Sequence, residues 1–325
     1  MRILKTLLRM IALTTPVSLP KRAPRIVPST RFMLLGSCFA THIGGQLQRS
    51  GLRAEVNPFG VLYNPESIAL VLDAMLDEQL PADCFFEGRD NLWHSWLHAS
   101  AFSDPDEVTC RKRVGERFRE ACETLRHADV ICITFGTNRV YEHADRVVAN
   151  CHKEPASQFA EHSLSVGAIV ARWQALLKRI RTVNPNVAII FTVSPYRYAK
   201  YGMVENQRAK ATLLLAVEEL LTCGNNLHYF PAYEILLDEL RDYRFYAADM
   251  LHPSDVAVDY IWQRFTSWAF TPETQQFAEA WERTERDLNH RPLHPDSDAH
   301  KAFLAKAMER RAKLEAMINS STPNK

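Results

Sequence analysis

Three short apolar runs constrain this chain more than any other feature. FMLL at 32–35 stops at Gly36, DVICITF at 129–135 stops at Gly136, and NVAIIFTV at 186–193 stops at Ser194. Runs so continuous do not alternate polar with apolar residues, so each fits a strand buried on both faces. Amphipathic segments lie between them. Their order, strand then helix repeatedly, predicts a three-layer α/β/α fold with a mainly parallel sheet. In such sheets the chemistry collects at the carboxyl ends of the strands. Here the first run delivers Ser37 and Cys38 at its break, and the second delivers Gly136, Thr137 and Asn138.

The helices follow from their punctuation. ATHIGGQLQRSG after Cys38 turns Ile43 and Leu47 inward and stops near Gly51. Asn64 before Pro65 reads as a cap with proline at the first helical position. Further helices are expected over about 108–127, 163–184 and 204–223, with a strand and turn in LHYFPAYEIL. Residues 81–106, with FFEGRDNLWHSWLHASAF, break the rhythm and read as an insertion or a pair of short strands over one end of the sheet. The expected organisation is a lead-in over 1–30, a main domain over 31–270 and a helical C-terminal extension over 271–325.

Several function classes lose ground on composition. A net charge of +1 argues against nucleic-acid binding driven by electrostatics. Seven scattered cysteines with no CxxC pair suit a reducing compartment, so the cytoplasm is expected. Lys5 and Arg9 interrupt the apolar N-terminus, which reads as an amphipathic segment rather than a stable membrane insertion. His94 and His98 are four apart, but without a HExxH glutamate or a third ligand no metal is expected. Neither a Walker lysine motif nor GxGxxG occurs, and no cofactor is implied. Arg197, Lys200, Arg208 and Lys210 after the third run read as a solvated helix start, with contact to an acidic substrate as the sharper alternative.

The reactive residues suggest acyl transfer. A thiol or hydroxyl needs a base, the base needs a carboxylate to fix its tautomer, and the oxyanion needs donors. His252 supplies the base and Asp249 the carboxylate. Asn138 offers an amide, and a backbone N–H at Cys38 or Gly60 completes the hole.

GSCFA at 36–40 resembles the signature of the GSCFA family, which is related to the SGNH (GDSL-type) hydrolases. NPFGVLYNP at 57–65, TFGTNRVYE at 134–142, VSPYR at 193–197, ENQRAKA at 205–211 and the stretch from 229 to 253 carry the likeness further, in order. The resemblance implies an SGNH/flavodoxin-like fold and hydrolysis of an ester on a small polar molecule or carbohydrate. Carried over, the pattern puts its first block at Gly36 to Cys38, its oxyanion donors at Gly60 and Asn138, and its terminal Asp-x-x-His at Asp249 and His252. The SGNH pattern reads Gly-Asp-Ser, so Cys38 falls over the serine and Ser37 over the aspartate; Ser37 stays open if the turn is one residue out of register. Ala-Trp often follows Gly-Thr in the family, whereas Asn138-Arg139 stands here. Arg139 and Arg197 are expected at the substrate, and His98 along the cleft. An acyltransferase using a thioester donor and a non-catalytic glycan- or partner-binding protein are the competing classes. The C-terminal helix, AHKAFLAKAMERRAKLEAMI, is expected to pack on the main domain, with self-association as the sharper reading.

Overall fold

The computed structural model describes residues 14–320; the amphipathic segment expected at the N-terminus lies outside them. In chain order the regular elements begin with β1 (Arg31–Gly36), α1 (Cys38–Arg49), β2 (Arg53–Val56), α2 (Pro65–Asp77), β3 (Phe85–Glu87), β4 (Trp93–Ser95) and α3 (Glu107–His127). They continue with β5 (Val130–Phe135), β6 (Arg139–His143), β7 (Arg146–Val148), β8 (Ala160–Ser163), α4 (Val166–Val183), β9 (Ala188–Val193), α5 (Met203–Leu221) and β10 (Leu227–Tyr229). A short α6 (Ala232–Glu234) runs on as a π-helical turn, and α7 (Asp255–Ala269), α8 (Pro272–Leu288) and α9 (Asp298–Ser320) complete the chain.

The three apolar runs are β1, β5 and β9, side by side in a five-stranded parallel sheet of order β10-β9-β5-β1-β2. Their continuous apolarity is used on both faces. Met33, Leu35, Ile133 and Phe191 turn to one side, against Leu72, Phe118, Trp173 and Leu213 of α2 to α5. Phe32, Leu34, Cys132 and Ile190 turn to the other, against Ile43, Leu47, Ile261 and Phe265 of α1 and α7. Each large side chain buried this way contributes about 1.5–3 kcal/mol, so the central strands dominate the core. The fold is three-layer α/β/α.

Strand order fixes where the site lies. From β1 the chain steps outward to β2, then returns to the opposite side of β1 at β5. The turns after β1 and β5 therefore diverge and leave a crevice at their carboxyl ends.

Several elements escaped the sequence reading. β2 is a four-residue edge strand, RAEV, with no buried residue, and nothing in it forms an apolar run. β6, β7 and β8 form a separate antiparallel sheet from mixed polar sequence, with β8 wholly exposed. The segment over 81–106, by contrast, holds the pair of short strands expected there, the β3–β4 antiparallel hairpin. The proline-bearing lead-in is extended but is also stitched to the domain: Ile26 is buried, its N–H donates to Ala269 O at 3.0 Å, and its carbonyl accepts from Thr271 N at 3.1 Å. α9 packs on α8 through Leu314 and Ile318 against Phe277 and Trp281, with the Arg311 guanidinium 3.8 Å from the Trp281 ring centre. Among the described residues, no helix is long and apolar enough to cross a membrane.

Candidate active site

The turn after β1 is shaped by one glycine. Gly36 has φ +142, and a Cβ there would stand 2.2 Å from the Thr134 carbonyl oxygen, so only glycine lets β1 lie this close to β5. Its N–H donates to Asn57 Oδ1 at 2.9 Å, which ties the turn to the loop after β2. Ser37 follows as the N-cap of α1, its Oγ accepting from Phe39 N at 3.3 Å. It is 0% exposed. Cys38, the first residue of the helix, is half-buried. Burial pushes its thiol pKa up; the N–H groups of Phe39 and Cys38 and the charge of Lys210 pull it down, and Asp249 pushes it up again. The helix start thus offers backbone donors to an anionic sulfur.

The neighbouring turn is held by Tyr63, whose carbonyl accepts from Gly136 N at 2.8 Å and from Thr137 N at 2.9 Å. Asn138 is buried, and its side-chain amide donates to Leu164 O at 2.9 Å. Gly60 has φ +88 and its N–H closes a turn on Asn57 O at 2.7 Å. Both donors assigned to the oxyanion on sequence grounds therefore have partners within the protein; Asn138 keeps its second amide hydrogen.

Asp249 and His252 sit on a loop between the π-helical turn and α7. Asp249 Oδ1 accepts from the N–H groups of Leu251 and His252, both at 2.9 Å, and Oδ2 meets His252 Nδ1 at 2.5 Å. The His252 side-chain bond first and these amides next hold the Asp249 carboxyl down to about 2. With Nδ1–H given to the carboxylate, Nε2 is left to exchange a proton. The His252 ring lies 4.3 Å from the ring of Tyr196, tilted by 41°. Asp249 acts electrostatically on Cys38, and Tyr196 feels both, so the loop and the start of α1 share one neighbourhood. Among the described residues Cys38 and His252 make no direct hydrogen bond.

Arg197 braces this loop. Its backbone N–H donates to Leu251 O at 3.0 Å, its guanidinium to Met250 O at 3.1 Å, and the guanidinium lies 5.2 Å from the Tyr246 ring centre. Arg139 is likewise engaged, donating to Glu205 at 3.2 Å and lying over the Tyr201 ring at 4.7 Å. His98 is buried, packed 4.5 Å from the Phe59 ring, with Nδ1 at 2.8 Å from Ser95 Oγ and Nε2 without a hydrogen-bond partner among the described residues. Burial, then His152, drives its pKa down to about 3, so the ring is neutral. His94 lies on β4, bonded to Ser103 and Asp90, so the four-residue spacing to His98 spans a strand and a turn, not a helix face. Among the described residues no group of three or more His, Cys, Asp or Glu is arranged to hold a metal ion.

One expectation is overturned outright. Lys210 is no part of a solvated helix start: it is 1% exposed, and its Nζ donates to Gly136 O and Ser194 O, both at 2.7 Å. Burial brings its pKa down to about 7. Helical spacing could have revealed this, because Asn206, Lys210, Leu213 and Val217 fall on one buried face of α5. Sequence reasoning also missed Tyr63 and Tyr196, whose ionisation is coupled to Cys38.

A sequence model described as GSCFA family matches residues 31–265, and one described as GSCFA domain protein, C-terminal domain, matches residues 281–321. No curated protein sequence matches the chain. Among solved structures, a Clostridium thermocellum family 3 carbohydrate esterase is similar at 12% identity and TM-score 0.36, over 77% of this chain and 98% of that one. A family 3 carbohydrate esterase from Talaromyces cellulolyticus is similar at 10% identity and TM-score 0.35, also over 77% and 98%.

Proposed function

The chain belongs to the GSCFA family, and from that premise we propose that it is an SGNH-type esterase acting on a small polar or carbohydrate ester through Cys38, His252 and Asp249. The observation that carries this reading is the fixed Asp249–His252 pair on a braced loop within electrostatic reach of a cysteine at a helix start. In the first step the Cys38 proton passes to His252 Nε2 as the sulfur attacks the ester carbonyl, and the carbonyl electron pair moves onto oxygen. The oxyanion is met by the N–H at the start of α1, with Asn138 contributing its second amide hydrogen. Collapse expels the alcohol, which takes its proton from His252, and leaves a thioester on Cys38. Water, deprotonated by His252, then releases the acid and restores the thiol.

Ser37 fits this chemistry less well, since it is sealed from solvent and its oxygen is committed to the cap. The proposed substrate contacts add aromatic rings to the residues expected on sequence grounds. Arg139 and Arg197 are hydrogen-bonded within the protein, whereas Tyr63 and Tyr196, whose phenols feel the charge of Cys38, suit the apolar face of a sugar.

The test is acylation itself. The full chain is incubated with p-nitrophenyl acetate and with an acetylated sugar, acetate release is followed, and peptides are examined by mass spectrometry. An acetyl thioester on Cys38, with turnover reduced about 10³-fold or more in Cys38→Ala and His252→Ala, supports the reading. Unchanged turnover in both variants overturns it.

A further inference from the structure

Lys210 is a lysine where the fold has little reason to want one. It projects from α5 into the space beneath the ends of β5 and β9, where it is almost entirely enclosed. Among the described residues its two hydrogen bonds go to main-chain oxygens, Gly136 O and Ser194 O, and no carboxylate accepts from it. An ammonium buried without an anion is costly. Two carbonyls satisfy two of its three hydrogens and leave the third, and the charge, to a partner.

The anion it can meet is the sulfur at the start of α1. Gly136, whose carbonyl Lys210 holds, lies beside Ser37, the residue before Cys38: a Cβ at Gly136 would stand 3.5 Å from Ser37 Cβ. The charge of Lys210 acts on Cys38, and Cys38 in turn raises the pKa of Lys210. We propose that Lys210 is a positioning residue for the reaction above, the buried counter-charge that stabilises the Cys38 thiolate formed when His252 takes the thiol proton. The proposal rests on Cys38 being the nucleophile. In the step itself the S–H bond breaks, its electron pair stays on sulfur and its proton goes to His252 Nε2. Lys210 acts in its ammonium form and exchanges no proton in this step.

Once it has taken the proton, the His252 imidazolium also faces the thiolate, but among the described residues Lys210 is the cation that acts on Cys38 before the transfer. Cys38 also faces Asp249, which opposes a thiolate, and the phenols of Tyr63 and Tyr196. Lys210 otherwise faces the ring of Tyr233, 5.6 Å from its centre. A lysine that merely stapled two strand ends would leave the thiol's titration where it was, which separates the two roles.

The experiment reads the thiol and not ester turnover. The rate of iodoacetamide alkylation at Cys38 is followed by peptide mass spectrometry from pH 6 to 10 in the full wild-type chain and in Lys210→Met. Removing a neighbouring opposite charge should raise the apparent pKa of Cys38 by about 1 unit or more, with alkylation near pH 7 slowed about tenfold. Lys210→Gln, which keeps a donor for one carbonyl, is read in parallel in case the methionine variant does not fold. A profile in either folded variant that superimposes on wild type overturns the proposal. The same coupling is read in reverse by NMR of the Lys210 ammonium, whose titration should move to lower pH in Cys38→Ala because linkage is reciprocal. An unmoved Lys210 titration also overturns it. If ester turnover proves independent of Cys38, the esterase reading fails while these two titrations still decide whether the charges are coupled.

Discussion

Ser37 and Cys38 are adjacent in sequence, yet their substitution should separate stability from chemistry. Ser37 lies wholly inside the protein and spends its oxygen on the cap of α1, accepting from Phe39 N at 3.3 Å. Ser37→Ala removes that acceptor and little volume. Loss of an N-cap costs about 1 kcal/mol, and the length of this bond places it toward the lower part of that range. For a chain of this size such a loss lowers Tm by roughly 2 °C. Turnover should survive within about tenfold, the scale of a small displacement at the helix start. Cys38→Ala should do the opposite. Cys38 belongs to none of the hydrophobic core clusters, so Tm should stay within about 2 °C, while turnover falls about 10³-fold or more. Differential scanning calorimetry and initial rates with p-nitrophenyl acetate on the same preparations give both numbers. An inactive Ser37→Ala of unchanged Tm beside an active Cys38→Ala would refute the reasoning.

Three other outcomes are expected. Gly36→Ala should destabilise by roughly 3 kcal/mol or more, because its Cβ meets the Thr134 carbonyl at 2.2 Å and its φ is +142; a urea midpoint equal to wild type counts against the tight β1–β5 approach. Asp249→Asn should lower kcat about 10³- to 10⁴-fold through loss of the Nδ1–H acceptor, with little change in Tm since the carboxylate is half exposed; a loss of less than tenfold would remove Asp249 from the mechanism. His98 and His152 are held neutral by burial, with pKa values down to about 3 and about 4. The unfolded chain binds those protons below about pH 6.5 and the folded chain does not. Stability is therefore full above that pH and falls as pH drops toward 4, by at most ~1.4 kcal/mol per pH unit for each histidine. Urea midpoints at pH 7 and pH 5 measure this, and equal values refute it.

The central strands were legible because burial on both faces forces an apolar letter at every position, and β1, β5 and β9 carry that signature without interruption. Caps were legible for a similar reason. Asn64 accepts from Ser67 N, and Pro65 follows it, which is local chemistry needing no tertiary partner. Strands whose pairing partner supplies most of the order, such as β2 and β8, carry no such mark. The same contrast runs through the candidate site. Residues placed by local turns, Cys38 at a strand end and Asp249 with His252 three residues on, could be picked out from the sequence.

What a charged side chain does there was settled elsewhere. Arg139 and Arg197 looked like groups waiting for a substrate, and the folded chain gives one to Glu205 and the other to the loop that carries His252. Lys210 looked solvated, and the fold buries it under the β5 and β9 ends. The sequence by itself determined the parallel sheet and singled out the candidate residues at its carboxyl edge, because periodicity and turn chemistry are written in consecutive residues. Only the tertiary structure decided which charges are free and which are spent, because a charge is neutralised by whatever lies beside it in space, and for these residues the partners come from other elements of the chain.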